Sequence, residues 1–117
     1  MSFAEIDRQE REWADRARKA QAAAAQAYER LLSLAENGDS GQVRSVAYFI
    51  AATFDGQTFP LDLFELRTVD VSIGDDMLCC LDALRWGKAD LYKLVPDGHA
   101  RILKMCETWG IKWPESA

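Results

Sequence analysis

FAEIDRQEREWADRARKAQAAAAQAYERLLSLAE, residues 3 to 36, runs without proline or glycine up to the breaker cluster Asn37-Gly38-Asp39-Ser40-Gly41. A stretch so rich in Ala, Glu, Arg and Gln predicts one long helix. Its charges agree. Asp7 with Arg11, Glu12 with Arg16 and Asp15 with Lys19 set acid before base at i,i+4, the better orientation on a helix face. At 1.5 Å per residue such a helix is about 50 Å long, whereas the rest of the chain makes a body roughly 30 Å across. The helix must therefore overhang, with residues 1–26 as a projecting segment and 27–113 as the compact body. A seven-residue pattern sets Ile6, Trp13, Ala20, Ala27 and Leu34 in one row and Phe3, Ala17, Ala24 and Leu31 in the next, interrupted by Glu10. That is the seam of a short coiled coil, with small residues that permit close approach, or equally the stripe of a helix that folds back on its own domain, since alanine runs raise helix propensity without any partner.

Working outward, Val43, Val46, Ala47, Ile50, Ala51 and Phe54 recur at the spacing of one buried stripe, which predicts a second helix capped by Asp39 or Ser40 and ended by Asp55-Gly56-Gln57. Thr58-Phe59-Pro60-Leu61 reads as extended, because the residue before proline avoids the α region, and Leu61, Leu63, Phe64 and Leu66 predict a short helical turn. A further helix is expected from Val69 to Trp86 with Thr68 as its cap. The last runs from Gly98 to Trp109, capped by Asp97 and stopped by Gly110, with Ile102, Met105, Cys106 and Trp109 inward. Between these two, Leu91, Tyr92 and Leu94 fold back onto the core. The fold class expected is all-α, a compact bundle of four to five helices in one domain.

The chain has 117 residues, a formal net charge of −5 and a pI near 4.8. Its 14 Lys and Arg are scattered and make no basic stripe, so no nucleic-acid partner is expected. The amino terminus lacks the basic and apolar regions of a secretion signal, and no apolar run approaches the ~18 residues that span a bilayer, so no membrane partner is expected either. Three cysteines, two of them adjacent, suggest free thiols in a reducing compartment, and the cytoplasm is the expected location.

VSIGDDMLCCLDAL, residues 71 to 84, holds the residue types from which metal sites and thiol nucleophiles are built. At about 100° per residue, however, Val69, Ile73, Met77, Cys80, Leu81 and Leu84 share one face, while Ser72, Asp75, Cys79 and Asp82 share the opposite one. Cys80 and Cys106 then belong to the core and Cys79 to the outside. Asp75 points to solvent, Asp76 to the edge of the apolar face, and an inward Gly74 predicts close approach of another backbone. A metal needs three or four convergent ligands, and the single histidine, His99, has no second His or Cys at ligand spacing. A cysteine nucleophile needs a base, and His99 near a helix start carries no flanking signature. No phosphate-binding glycine loop is present. Neither a cofactor nor an enzymatic activity is expected.

RLLSLAENGDSGQVRSVAYFI followed by DLFELRTVDVSIGDDMLCCLDAL resembles a family of unknown function made of small bacterial proteins found on plasmids and other mobile elements. The resemblance covers Ala27 to Trp109 and rests on Gly41, Gln42, Arg44, Val69, Asp70, Ile73, Asp75, Asp76 and Met77. The chain departs from the pattern at Ala51-Ala52-Thr53, where bulky aromatics belong, and in its Ala-rich front helix. The family offers a context and no catalytic residues.

From Asp55 to Asp82 there are seven acids and one base, Arg67, whereas Arg85 to Lys112 carries six bases against three acids. Such asymmetry guides partner choice and association rate, but a solvated acidic surface with no partner accounts for it more simply. Three functions follow as expectations. The first is a small accessory protein that self-associates through its front helix, with Phe3, Ile6, Trp13, Ala17 and Ala24 as the interaction stripe. The second is an acidic inhibitor that occupies the basic groove of a host defence or nucleic-acid enzyme, using Asp62, Glu65, Asp75, Asp76 and Asp82. The third, least supported by any motif, is an enzyme built on Asp76 or a cysteine. A protein partner is expected in the first two cases, and a homodimer is favoured in the first.

Overall fold

A computed structural model describes residues 2–113. It holds four α-helices, α1 (Phe3–Asn37), α2 (Gly41–Phe54), α3 (Val71–Trp86) and α4 (Gly98–Trp109), and no strand among the described residues. Short 3-10 helices at Leu63–Arg67 and Leu91–Leu94 connect α2 to α3 and α3 to α4. The α1 helix starts where its sequence gives it a capping box: the Ser2 hydroxyl accepts from the Glu5 N–H while the Glu5 carboxylate accepts from the Ser2 N–H. Asp7–Arg11 and Asp15–Lys19 form the expected ion pairs at 3.1 and 3.0 Å. Arg16 instead lies over the Trp86 ring, 5.2 Å from its centroid.

The molecule measures 54 × 37 × 28 Å with a radius of gyration of 16.1 Å, against about 13 Å for a compact chain of this size. The excess is α1. Every described residue before Asp15 is exposed, and burial begins at Ala17. Beyond that point Ala17, Ala20, Ala24, Ala27, Leu31 and Ala35 are buried, against α3, α2, α4 and the second 3-10 helix. The seam read from the sequence is thus divided. Its alanine half, including Ala17 and Ala24, is enclosed by the chain's own body, and only its first turns stand free. Leu34, placed in the seam by the seven-residue count, is exposed while Ala35 is buried. A straight helix drifts about 20° per heptad from a 3.5-residue repeat, and over four heptads the buried row moves to the next position.

The Ser40 hydroxyl caps α2, accepting from the Val43 N–H at 3.2 Å. The expected stripe of α2 faces the core, but Ser45 and Phe49 are buried as well, because the connection after α2 covers its other side. The start of α3 is corrected to Val71 with Asp70 as N-cap residue. Thr68 is already committed elsewhere: its hydroxyl donates to the Glu65 carbonyl at 2.7 Å and lies 3.0 Å from the Ser45 hydroxyl, so it closes the preceding 3-10 helix. The Gln42 side chain clamps Asp70, donating to its carboxylate at 3.2 Å and accepting from its N–H. Within α3, Met77, Cys80 and Ala83 are buried and Leu84 is exposed, so the buried face is rotated slightly from the expected one. No other backbone approaches Gly74: a Cβ there would meet only Val69 Cγ2, at 3.9 Å.

Asp97 precedes α4 in the left-handed region, φ 54°, which a short polar residue tolerates, and its side chain makes no capping bond. Two side chains of α4 fix it on α1 by polar contacts. Arg101 donates to Glu29 at 2.6 Å and to Glu36 at 2.7 Å, and Trp109 Nε1 donates to the Ala35 carbonyl at 2.7 Å.

Candidate functional site

The free end of α1 presents Phe3, Ile6 and Trp13, which are 92%, 38% and 46% exposed. They occupy the row that continues into Ala17, Ala20 and Ala24, so the helix carries one apolar seam that outlasts its covering. Where the body begins, the seam meets a cleft of about 310 Å³ lined by Glu10, Trp13, Ala14, Trp86 and Lys88. A second groove adjoins it, sharing Ala14 and Lys88 and running under α1 to Leu94. The cleft has a cationic rim. Arg16 and Arg85 sit over the Trp86 ring at 5.2 and 5.0 Å, where the negative face of the indole holds them. Nothing in the one-dimensional pattern sets Trp86 and Lys88 beside Trp13, since they lie more than seventy positions apart.

The acidic residues of the middle segment are brought to no common point. Asp62 accepts from the Phe64 N–H and caps its 3-10 helix at 2.9 Å. Glu65 accepts from the buried Ser45 hydroxyl. Asp55 accepts from the Thr58 N–H and hydroxyl at 3.1 and 2.6 Å, which holds its carboxyl below the usual range. Asp76 takes a two-pronged contact from Arg30, 2.8 and 3.0 Å, across from α3 to α1, and Asp82 pairs with Arg85 at 2.6 Å. Asp75 is exposed and has no side-chain partner among the described residues. The Arg30–Asp76 pair borders a groove of about 780 Å³ between the end of α1 and the start of α3, with Leu34 and Ile73 on its walls.

The thiols are free. Cys80 and Cys106 are buried and Cys79 is half-buried against the core, less open than the helical phase implies. Burial pushes the Cys80 thiol up to about 12, and it raises Cys106 and Cys79 as well, the last helped by the Asp76 charge. At neutral pH all three stay protonated and are poor nucleophiles. His99 is exposed and stacks on Phe54, ring centroids 5.4 Å apart. Among the described residues no three His, Cys, Asp or Glu side chains converge to hold a metal ion. No helix there is long and apolar enough to cross a membrane.

Fold and surface together define a small all-α domain that carries an uncovered apolar stripe on a projecting helix. The chain belongs to a family of unknown function, DUF7673, whose model matches residues 25–110. The matched stretch begins inside α1, so the free seam lies outside it. No match to the chain is found among curated proteins or among solved structures.

Proposed function

We propose that this protein is a small accessory module that works by protein association, and that its partner surface is the free end of α1, used first for self-association. One observation carries the reading: Phe3, Ile6 and Trp13 continue a seam whose later members are enclosed, and exposed apolar residues gathered on one face, aromatics among them, are what interaction surfaces are made of. The uncovered seam belongs to this chain's front helix and not to the family domain. A cytoplasmic setting fits three free cysteines, and a place among plasmid or mobile-element accessory genes fits the resemblance carried by the VD…I-DDM helix.

The acidic inhibitor draws less support. Six of the seven carboxylates from Asp55 to Asp82 already cap a turn, receive a hydroxyl or side-chain amide, or pair with an arginine, and Asp75 alone is unengaged. Light scattering tests the main reading. The intact chain should show a mass above that of the monomer at micromolar concentration, and a chain with Phe3, Ile6 and Trp13 all changed to Ser should not. An intact chain that stays strictly monomeric up to a few hundred micromolar removes self-association.

A further inference from the structure

We infer that two copies pair antiparallel along the free ends of α1, with Phe3 of each seated in the cleft beside Trp13 and Trp86 of the other; this deepens the self-association reading and rests on it. Residues 3–16 offer about 21 Å of helix before the body blocks the seam at Ala17. In an antiparallel pair the first seam position of one heptad faces the fourth of the partner. The overlap that clears both bodies then sets Phe3 against the partner's Trp13 and Ile6 against the partner's Glu10. Phe3 cannot reach its own cleft, because ten residues of helix hold it about 15 Å from Trp13. Only another chain can deliver a side chain of this shape to that end of the seam.

Charge selects the direction. In a parallel pair Glu10, the one charged residue in the seam, would face its own copy. Antiparallel pairing separates the two and leaves each beside Lys88, which lines the same cleft. The free helix carries Glu5, Asp7, Glu10 and Glu12 against Arg8 and Arg11, and the cleft, which Glu10 also lines, has Arg16, Lys88 and the Asp82-paired Arg85 on its rim. Only the antiparallel arrangement brings the acidic end of one copy to the basic rim of the other. The same patch serves both copies, so the assembly closes at two. Each helix contributes a strip about 21 Å long and 10 Å wide. That is well under the roughly 800 Å² per partner of a standard interface, so the pairing is a weak, transient one.

The test labels the full-length chain with pyrene on a single introduced cysteine, in a Cys79→Ser background that leaves only the buried thiols. In the proposed register Ser2 lies opposite the partner's Ala14, while the two Ser2 positions are about 18 Å apart. Excimer emission should appear when Ser2→Cys and Ala14→Cys chains are mixed, and neither chain alone should give it. Sedimentation should find that Phe3→Ala raises the dissociation constant about tenfold or more and that added salt weakens association. An excimer from Ser2→Cys alone, or a dimer without the mixed excimer, overturns the antiparallel pairing and leaves self-association standing. A monomer at all concentrations up to a few hundred micromolar overturns both.

Discussion

Replacing Gly98 with alanine places a methyl group where the fold has no room for one. A Cβ built on Gly98 would lie 1.9 Å from the Tyr92 carbonyl oxygen, 2.9 Å from the Tyr92 carbonyl carbon and 3.0 Å from Val95 Cγ2. The nearest atom belongs to the backbone of the Leu91–Leu94 turn, which buries Leu91 in the core, so it cannot swing aside as a long side chain would. The gap must open by about 1 Å to relieve the contact. Overpacking of this kind costs about 1–3 kcal/mol, and backbone displacement belongs at the upper end. Alanine returns up to about 1 kcal/mol of helix propensity, less at a first helical position. The net loss is about 2 kcal/mol, which for a chain of this size lowers Tm by roughly 6–10 °C. Two other glycines calibrate the experiment. At Gly41 an added Cβ meets nothing within 4 Å, and at Gly74 it meets only Val69 Cγ2 at 3.9 Å. Gly74→Ala in α3 should therefore stabilise by about 0.5–1 kcal/mol, and Gly41→Ala should be neutral or slightly stabilising. Thermal and urea unfolding of the three variants read all three values. A Gly98→Ala protein as stable as the parent would refute the close contact between α4 and the Leu91–Leu94 turn. A Gly74→Ala protein as damaged as Gly98→Ala would restore the close approach at Gly74 that the sequence alone suggests.

The thiols give a second prediction: a bulky maleimide should modify one cysteine of the native protein, Cys79, and slowly, while Cys80 and Cys106 react only on unfolding; rapid labelling of all three would contradict the helical packing. Third, Asp76→Asn should lower Tm by removing the charge and one of the two acceptor oxygens of the two-pronged Arg30 contact, whereas Asp75→Asn should leave it unchanged, and the reverse order would mean that α3 is rotated. Fourth, stability should fall on the alkaline side. Cys80 keeps its proton in the folded state up to about 12 against an ordinary value of 9.0, and buried Tyr28 is likewise raised, so the unfolded chain loses protons first. The sign follows: stability is full below about pH 9 and declines as pH rises from there towards 12. A Cys80→Ala variant should flatten that decline, and an unchanged slope would argue against the burial of this thiol.

The elements were legible where local chemistry is strong. Ser40 and the left-handed Gly110, both expected from the sequence, mark helix ends by bonds and dihedral angles that involve only near neighbours. The cap of α3 was misplaced because two residues could serve and the choice between them is made by Ser45 and Gln42, from another helix. The close approach expected at Gly74 is found at Gly98 instead, for the same reason. Helical phase tells which way a glycine faces, and only the neighbouring chain tells how near it comes.

By itself the sequence determined the all-α class, the long front helix and its overhang, since a helix of this length exceeds the span of any body that the remaining residues can make. It determined the apolar seam too, because seven-residue spacing is a property of the helix alone. What only the tertiary structure decided is how far that seam is consumed. Ala17, Ala20 and Ala24 read like Phe3, Ile6 and Trp13 along the chain, yet the first three are enclosed and the second three are not. The distinction depends on where the α3 end and the Leu91–Leu94 turn come to rest against α1, and that position follows from packing summed over the whole core. The same holds for the acids: a run that reads as one charged face is divided in the fold, because all of its carboxylates but Asp75 are engaged by separate donors that the fold supplies.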